Sequence, residues 1–403
     1  MSDTLTSLLL VSIFKNILND EVIAFYIRFL SLFESNSSFE ITLKSYSDFI
    51  SKLYEKQDNQ NLYLYLKKLL YTDENLISKG CSSCIKENEQ ILNTARYELK
   101  LFDNLFKYDY VKIKEIFIKK FPEKEEIILH LPSFSIDGFR NFDFDELLES
   151  YKKYGYGIFS CYTAFKFNEN KEILPIKYFD SITFSDLKNY EYQKNIIKLN
   201  TKAFLEGKEA NNILLYGDRG CGKSSTVKAL INEFADYNLK IIQVYKESFI
   251  YLFDLYEKLR NLPLKFIIFA DDISFEEDDK NFSSIKAVLE GSLTEKPSNT
   301  VIYATTNRMH MVKESFTSRE GSEIHYNDTI DEMVSLSDRF GIMLTFSLLN
   351  KHEYLDIVSK IANDCCVPVC ENLMKKAEEF AVLKGIRTPR VARQFITDYI
   401  AEL

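Results

Sequence analysis

The sequence has no tryptophan and little of several residues that mark particular protein classes: its 403 residues include 7 cysteines, 7 prolines, 12 glycines and 4 histidines. The cysteines are too sparse for a secreted domain built on disulfides. Glycine and proline are too rare for a collagen-like or low-complexity chain. Basic charge is not in excess, because 51 lysines and arginines face 60 aspartates and glutamates, giving a net charge of −9. This balance excludes a strongly basic nucleic-acid-binding footprint over the whole chain and leaves room only for a local patch.

Long hydrophobic runs are also absent. The apolar run Leu8–Phe14 is far shorter than the roughly 20 residues needed to cross a bilayer. Asp3 places an acid where a secretory signal needs positive charge. We therefore expect a soluble, cytoplasmic protein with reduced cysteines and no association with a membrane.

The composition is that of a globular chain, with 46% hydrophobic and 28% charged residues, and its length predicts two or three domains. Residues 1–125 contain few helix breakers and carry Leu, Ile, Phe, Tyr and Lys at helical spacing, so we expect a mostly helical N-terminal domain over residues 1–174. The run Leu62–Leu66 alternates like a strand, but its flanks favour a helix. Residues 132–178 hold several glycines and prolines and read as a connecting segment with a strand or two.

From residue 175 the pattern changes to alternating strands and helices, which indicates βαβ units and a five-stranded parallel sheet over residues 175–348. The predicted strands are Asn212–Tyr216, Lys240–Tyr245, Phe266–Ala270, Thr300–Thr305 and Ile342–Ser347. Residues 349–403 are helical again, with breaks at Pro368 and at Gly385–Pro389, and we expect them to form a small helical lid.

A glycine-rich loop follows the first of these strands and fits the phosphate-loop pattern G-x-x-x-x-G-K-[ST] at every fixed position. Its residues are Gly217, Asp218, Arg219, Gly220, Cys221, Gly222, Lys223 and Ser224, followed by Ser225. The glycines allow backbone N–H groups to point at phosphate oxygens, and the helix that follows adds positive potential at its N-terminus. Lys223 would reach the outer phosphates, and the Ser224 hydroxyl would bind Mg²⁺. The loop therefore predicts a nucleotide site.

A second motif supplies carboxylates. The buried strand Phe266–Ala270 ends in Asp271 and Asp272, as a Walker B element does. We expect Asp271 to hold Mg²⁺ and Asp272 to polarise the attacking water. A complete strand–helix unit, residues 240–262, separates the two motifs, and no Asn-Lys-x-Asp guanine-reading motif occurs. Both observations favour ATP over GTP.

These motifs resemble those of AAA+ ATPases, and more narrowly those of a bacterial group of AAA+-type ATP-binding proteins of unknown function. The resemblance covers residues 175–403. The matching pieces are Asn211–Gly217, Asp271–Glu276, Ile302–Arg308, Ser335–Gly341 and Val391–Phe395. It implies an AAA+ αβα sandwich with a C-terminal helical lid, and Mg-ATP binding and hydrolysis.

The resemblance also implies roles for four polar residues. Asn307, at the tip of the strand expected between the Walker A and Walker B strands, would orient the lytic water; otherwise it caps a turn. Arg339 would be an arginine finger that acts on a neighbour's nucleotide, so we expect a homo-oligomer or a protein partner; otherwise it is a surface ion pair with Asp338. Arg387 and Arg390 compete for the sensor-2 position of the lid, with a solvated basic face as the alternative for each.

Two departures from the AAA+ pattern matter for activity. The second Walker B acid is Asp272 instead of the commoner Glu, which would slow hydrolysis or pass the role to Glu276 or Glu277. Helicase-loader ATPases also carry paired aspartates, so activity is still expected. A polar segment, His310–Leu336, is longer than a minimal AAA+ core requires and indicates a substrate-contacting or regulatory insertion.

The cysteines support no clear metal site. Cys81 and Cys84 form one CxxC pair, but a structural zinc site needs four ligands, so we expect free thiols. Cys221 lies inside the phosphate loop, where the helix N-terminus should lower its pKa and make it sensitive to oxidation. A set of three lid cysteines has poor ligand spacing, and we expect them to be small packing residues. They are Cys365, Cys366 and Cys370.

Three functions remain open. The chain acts as a switch or remodeller on a protein partner, as a helicase-loader or transposition-helper ATPase on DNA, or as a nucleotide-binding scaffold with little hydrolysis. The paired aspartates favour the second mildly, but the acidic net charge disfavours it because phosphate contacts dominate nucleic-acid affinity. We therefore rank the functions in the order given.

Overall fold

A computed structural model describes residues 3–35, 37–56, 60–80, 88–273, 296–307 and 340–402. The chain divides into two compact units, one of Met1–Cys161 with Asn261–Pro263 and one of Tyr162–Arg260 with Leu264–Leu403. The division at Cys161 corrects the boundary predicted at residue 174. The cause is that residues 162–174 contribute strands to the sheet of the second unit. None of the described helices is both long and apolar enough to cross a bilayer.

The first unit is helical, as predicted. Its helices are α1 Asp3–Ser7, α2 Lys15–Leu18, α3 Glu21–Glu34, α4 Phe39–Glu55, α5 Leu62–Thr72, α6 Leu76–Gly80, α7 Glu89–Asp103, α8 Tyr110–Lys120, α9 Glu125–Leu129, α10 Phe144–Tyr154 and α11 Ile158–Cys161. Asn61 caps α5 by accepting the N–H of Leu64, so the Leu62–Leu66 run is helical despite its alternation. Aromatic rings fill the core between helices, with Tyr26 and Phe49 at 4.7 Å between ring centroids.

The second unit is built on one sheet in the order β2-β1-β4-β5-β6-β3-β7. Its strands are β1 Ala164–Phe167, β2 Ile173–Pro175, β3 Ile213–Gly217, β4 Lys240–Val244, β5 Phe266–Ala270, β6 Thr300–Thr306 and β7 Ile342–Phe346. The five predicted strands form and are mutually parallel. The predicted count of five was wrong for the whole sheet, because β1 adds in parallel to β4 and β2 adds antiparallel to β1.

Helices cover this sheet and form the lid. They are α12 Glu191–Leu205, α13 Lys223–Glu233, α14 Leu252–Leu259, α15 Lys351–Asp364, α16 Glu371–Lys384 and α17 Pro389–Ala401. The lid helices α15, α16 and α17 pack around a buried cluster of their own. Residues that favour helix ends stand where these helices begin and stop. Asn350 and Glu353 form a capping box at the start of α15, and Gly385 ends α16 in the left-handed conformation. The predicted helical C-terminal region with breaks at Pro368 and Gly385–Pro389 is confirmed.

Lys296 is a mostly buried cation beside this sheet. Its Nζ donates to Asn212 Oδ1 at 2.9 Å, and the same oxygen accepts the N–H of Ile302 at 3.0 Å. Burial lowers the pKa of Lys296 from 10.5 to about 8. Below about pH 8, Lys296 is protonated in both the folded and the unfolded chain. The folded state is then destabilised, because it buries the charged ammonium group. As pH rises from 8 to 10.5 the unfolded chain binds more protons, so stability rises with pH over this window.

We therefore expect Lys296→Met to raise the free energy of unfolding near neutral pH by about 2 kcal/mol. Asn212 keeps the N–H of Ile302, so the substitution leaves no unpaired acceptor. The measurement is denaturant unfolding of both proteins from neutral pH to beyond the ordinary lysine pKa. The difference in the free energy of unfolding between the two proteins should vanish at the alkaline end of this range. If that difference stays constant at every pH, the Lys296 charge does not affect folding.

Candidate functional site

The phosphate loop connects β3 to α13, and its glycines adopt conformations that other residues avoid. Gly217 has a φ of +134°, and a Cβ there would lie 2.2 Å from the carbonyl oxygen of Phe346. Gly220 and Gly222 have φ values of +83° and +94°. The N–H of Asp218 donates to that same Phe346 oxygen at 3.1 Å. The loop therefore needs glycine for its close approach to β7 and for its turn into the helix.

Lys223 is the buried cation of this loop, with 6% of its surface exposed. Its Nζ donates to the carbonyl oxygens of Gly217 at 2.7 Å and Asp218 at 2.8 Å, and to Asn307 Oδ1 at 2.9 Å. Burial holds the pKa of Lys223 below its usual value, and nearby acids oppose this shift. The ammonium group is thus fixed inside the curve of the loop, where it can meet an anion.

The carboxylate of Asp271 lies directly beside the start of α13. Its Oδ1 accepts from Ser224 Oγ at 2.6 Å and from Thr305 Oγ1 at 2.6 Å. A hydroxyl and a carboxylate on adjacent elements form the all-oxygen donor set that Mg²⁺ prefers. The residues at this position therefore fit the predicted magnesium site.

Asp272 leaves the sheet in an unusual backbone conformation, with a φ of +51°. Its N–H donates to Thr305 Oγ1 at 2.8 Å, and its carboxylate accepts from the side-chain amide of Asn307. Because Asn307 also accepts from Lys223, its amide connects the loop lysine to the second acid. This connection depends on the sheet order, in which β6 lies between β3 and β5, as the AAA+ resemblance implies.

These side chains converge on one cavity of about 460 Å³. Its lining residues are Arg219, Gly220, Gly222, Lys223, Ser224, Ser225, Asp271, Asp272, Thr305, Asn307 and Arg390. The structure thus brings together the residues that were predicted from two separate motifs and from the tip of β6.

The two competing lid arginines lie in different surroundings. Arg390 lines the cavity, and its backbone N–H donates to the carbonyl oxygen of Gly220 at 3.3 Å. Arg387 instead pairs with Glu378 of α16 and is not among the cavity's lining residues. The geometry therefore favours Arg390 over Arg387 as the lid arginine that faces the phosphate loop.

A second cavity of about 510 Å³ adjoins the first and shares Gly220, Gly222, Ser225 and Arg390 with it. Apolar and aromatic side chains from the segment before α12 and from the lid also line it, namely Ile182, Leu187, Tyr190, Ile357 and Ile361. The Tyr190 hydroxyl donates to the Ser347 carbonyl at 2.6 Å, and its ring lies 4.8 Å from that of Phe346. The sequence analysis did not predict this second cavity, because no sequence motif marks its lining residues.

The predicted reactivity of Cys221 is wrong. The side chain is 1% exposed, and burial raises the pKa of its thiol. Its Sγ faces the carbonyl oxygen of Ser347 at 3.7 Å. The loss of hydration thus outweighs the potential of the helix N-terminus, and the thiol is an inert packing group.

The prediction for the lid cysteines is also wrong, since Cys365, Cys366 and Cys370 are exposed and do not pack in the core. Among the described residues no group of His, Cys, Asp and Glu side chains could hold a metal ion on its own. Several predicted positions lie outside the described residues. They are Cys81, Cys84, Glu276, Glu277, the segment His310–Leu336 and Arg339.

Thr305 is the polar residue at the centre of the site that sequence reasoning missed. It is 1% exposed, and its hydroxyl bonds to the carboxylate of Asp271 and to the backbone N–H of Asp272. The signal available was weak: Thr305 and Thr306 end a strand of apolar residues, but the sequence does not show which of them points at Asp271.

In the comparison with protein families, a family described as "Protein of unknown function (DUF815)" matches residues 160–403. No curated protein is similar enough in sequence to be a relative.

Several solved structures are similar to part of the chain. A RuvB mutant of Thermotoga maritima is 17% identical, covers 52% of this chain and 62% of its own length, and has a TM-score of 0.37. The ORC1 protein of Aeropyrum pernix, solved in complex with DNA, is 16% identical over 54% of this chain and 61% of its own, with a TM-score of 0.38. The FIGL-1 AAA domain, solved with ADP, is 16% identical over 50% and 68%, with a TM-score of 0.34. Similarities of this size leave ligands and partners to be inferred from the site itself.

Proposed function

The chain belongs to the family described as protein of unknown function (DUF815), and from the site in the matched region we propose that it binds Mg-ATP and hydrolyses it to drive conformational change in a protein partner. One observation carries the proposal. Lys223, the Ser224–Asp271 pair and the Asp272–Asn307 pair line a single cavity at the carboxyl edge of a parallel sheet. This edge is where open α/β sheets bind their ligands.

Each residue would contribute a distinct interaction. Lys223 and the N–H groups of the loop would bind the outer phosphates. Ser224 and Asp271 would hold Mg²⁺, which supplies positive charge against the phosphate oxygens when bound. Asp272 would accept a proton from the attacking water, Asn307 would orient that water, and Arg390 would bring positive charge from the lid.

The second cavity would take the base of the nucleotide. Its apolar lining, with Leu187, Tyr190 and Ile357, offers flat contact to a purine ring. The sequence has no guanine-reading motif, so ATP is the expected nucleotide. Titration of the protein with ATP and with GTP in Mg²⁺ tests this choice. Equal affinity for ATP and GTP would contradict the proposed preference for adenine.

The choice between a protein and a DNA partner rests on charge. A net charge of −9 disfavours binding to a polyanion, because lysine and arginine contacts to phosphates dominate nucleic-acid affinity. The test is ATP turnover with and without DNA at low and at moderate salt. We expect no stimulation. Stimulation by DNA would favour a helicase-loader or transposition-helper activity, and binding without any turnover would favour a nucleotide-dependent scaffold.

We further propose that the active state is a homo-oligomer, or a complex with a partner, in which Arg339 acts on a nucleotide held by another subunit. This proposal rests on the sequence position of Arg339 just before the last strand. Mixing Arg339→Ala protein with Lys223→Ala protein should restore part of the turnover that each lacks alone. No gain on mixing would count against shared sites.

A further inference from the structure

The hydroxyl of Thr305 joins the two aspartates that follow β5. It donates to Asp271 Oδ1 at 2.6 Å and accepts the backbone N–H of Asp272 at 2.8 Å. The carbonyl oxygen of the same residue accepts the N–H of Ile273 at 2.8 Å. Thr305 therefore contacts three consecutive residues at the end of the neighbouring strand.

This arrangement appears where the ordinary strand ladder stops. The register pairs Phe269 with Tyr303 and Ala270 with Ala304, and beyond that point Asp272 turns into the left-handed region with a φ of +51°. For a residue other than glycine this backbone conformation is unfavourable, and it persists only where its surroundings enforce it. The bond from the Asp272 N–H to the Thr305 hydroxyl is such a constraint.

The direction of the Asp272 side chain follows from this backbone conformation. With φ held at +51°, its carboxylate faces the amide of Asn307, and that amide also faces Lys223. A side chain of the same shape without a hydroxyl would leave the Asp272 N–H without this acceptor and would remove one donor from Asp271. Asp271 would keep its bond from Ser224, whereas the backbone of Asp272 would lose the bond that constrains its conformation.

We infer that Thr305 is a positioning residue for ATP hydrolysis: its hydroxyl sets the orientation of Asp272, and with it the rate of the chemical step. This inference rests on the proposed ATPase function. It predicts an effect on kcat that is separate from nucleotide binding, because the Lys223 ammonium group is held by Gly217, Asp218 and Asn307 and not by the Thr305 hydroxyl.

The test compares Thr305→Val, which removes the hydroxyl and keeps the shape, with Thr305→Ser, which keeps the hydroxyl. Thr300→Val is the matched control, because Thr300 is 1% exposed at the other end of the same strand and its hydroxyl bonds to the Pro297 carbonyl. We expect Thr305→Val to lower kcat by about 30-fold with KM for ATP within about threefold. Thr305→Ser should recover most of the rate, and Thr300→Val should keep it.

Turnover and ATP binding of the wild type are measured in the same experiment. A failure of the positioning role of Thr305 can then be distinguished from a failure of the proposed ATPase function. Turnover by the wild type together with an unchanged kcat in Thr305→Val overturns the positioning role and leaves the ATPase intact. Equal losses in Thr305→Val and Thr305→Ser also overturn it, because the hydroxyl would then not be the cause. Absence of turnover in the wild type overturns the ATPase and the positioning role with it. Should the valine variant not fold, Thr305→Ala removes the same hydroxyl and is compared with Thr305→Ser in its place.

Discussion

Replacing Asp272 by asparagine is expected to lower ATP turnover by at least about 100-fold while ATP still binds. The amide has nearly the shape of the carboxylate but cannot take a proton from water at neutral pH. Lys223, on which binding depends, is held by the Gly217 and Asp218 carbonyl oxygens and does not bond to this carboxylate. Steady-state phosphate release and equilibrium ATP binding, measured on the same preparation, separate the two effects.

The matched control for this change is Asp236→Asn, which removes an equal charge from an exposed position after α13. It should turn over ATP like the wild type. A wild-type rate in Asp272→Asn would mean that another residue is the base, and Glu276 and Glu277 are then the next candidates.

Replacing Lys223 by alanine is expected to weaken ATP binding by at least about 100-fold, equivalent to about 2.7 kcal/mol. Lys223 is 6% exposed, and its ammonium group is held inside the loop by two backbone carbonyls, so no water-exposed side chain can take its place. Removing it leaves the phosphates without their buried counter-charge. Equilibrium titration with ATP in Mg²⁺ measures the change.

Lys202→Ala serves as the control for Lys223→Ala, because it removes the same charge from an exposed position on α12 and should leave ATP affinity unchanged. Micromolar ATP binding retained by Lys223→Ala would place the nucleotide elsewhere.

The parts of the site that follow local rules could be predicted from the sequence. The phosphate loop is a run of consecutive residues whose glycines are required by backbone geometry, so its pattern is visible in one dimension. Asp271, Asp272 and Asn307 each follow a buried strand. Because parallel strands end at the same edge of a sheet, the order of strands and motifs along the chain is enough to predict that these side chains converge with Lys223.

The parts that depend on distant contacts could not be predicted. Whether β1 joins the sheet is decided by its pairing with the distant strand β4, in which Ala164 lies opposite Ile241. β2 joins only through its pairing with β1. Whether Arg387 or Arg390 faces the loop is decided by the ion pair between Arg387 and Glu378. The inert state of Cys221 depends on burial, which a motif does not report.

The hydrogen bonds of Thr305 lie in the same category, since they join residues 33 and 34 positions apart. A sequence shows that Thr305 is polar and that Asp272 is acidic. It does not show that the backbone of Asp272 is left-handed, and this conformation is what makes the hydroxyl important.

Binding of ATP and its Mg²⁺-dependent hydrolysis at one site can be followed together in a single turnover. Labelled ATP is mixed with an excess of wild-type protein, and the bound nucleotide is recovered and identified over time. We expect ATP to be bound both with and without Mg²⁺, and to be converted to ADP only when Mg²⁺ is present. ATP that never binds, or ADP that forms at the same rate in a chelator, would show that this site is not a magnesium-dependent ATPase.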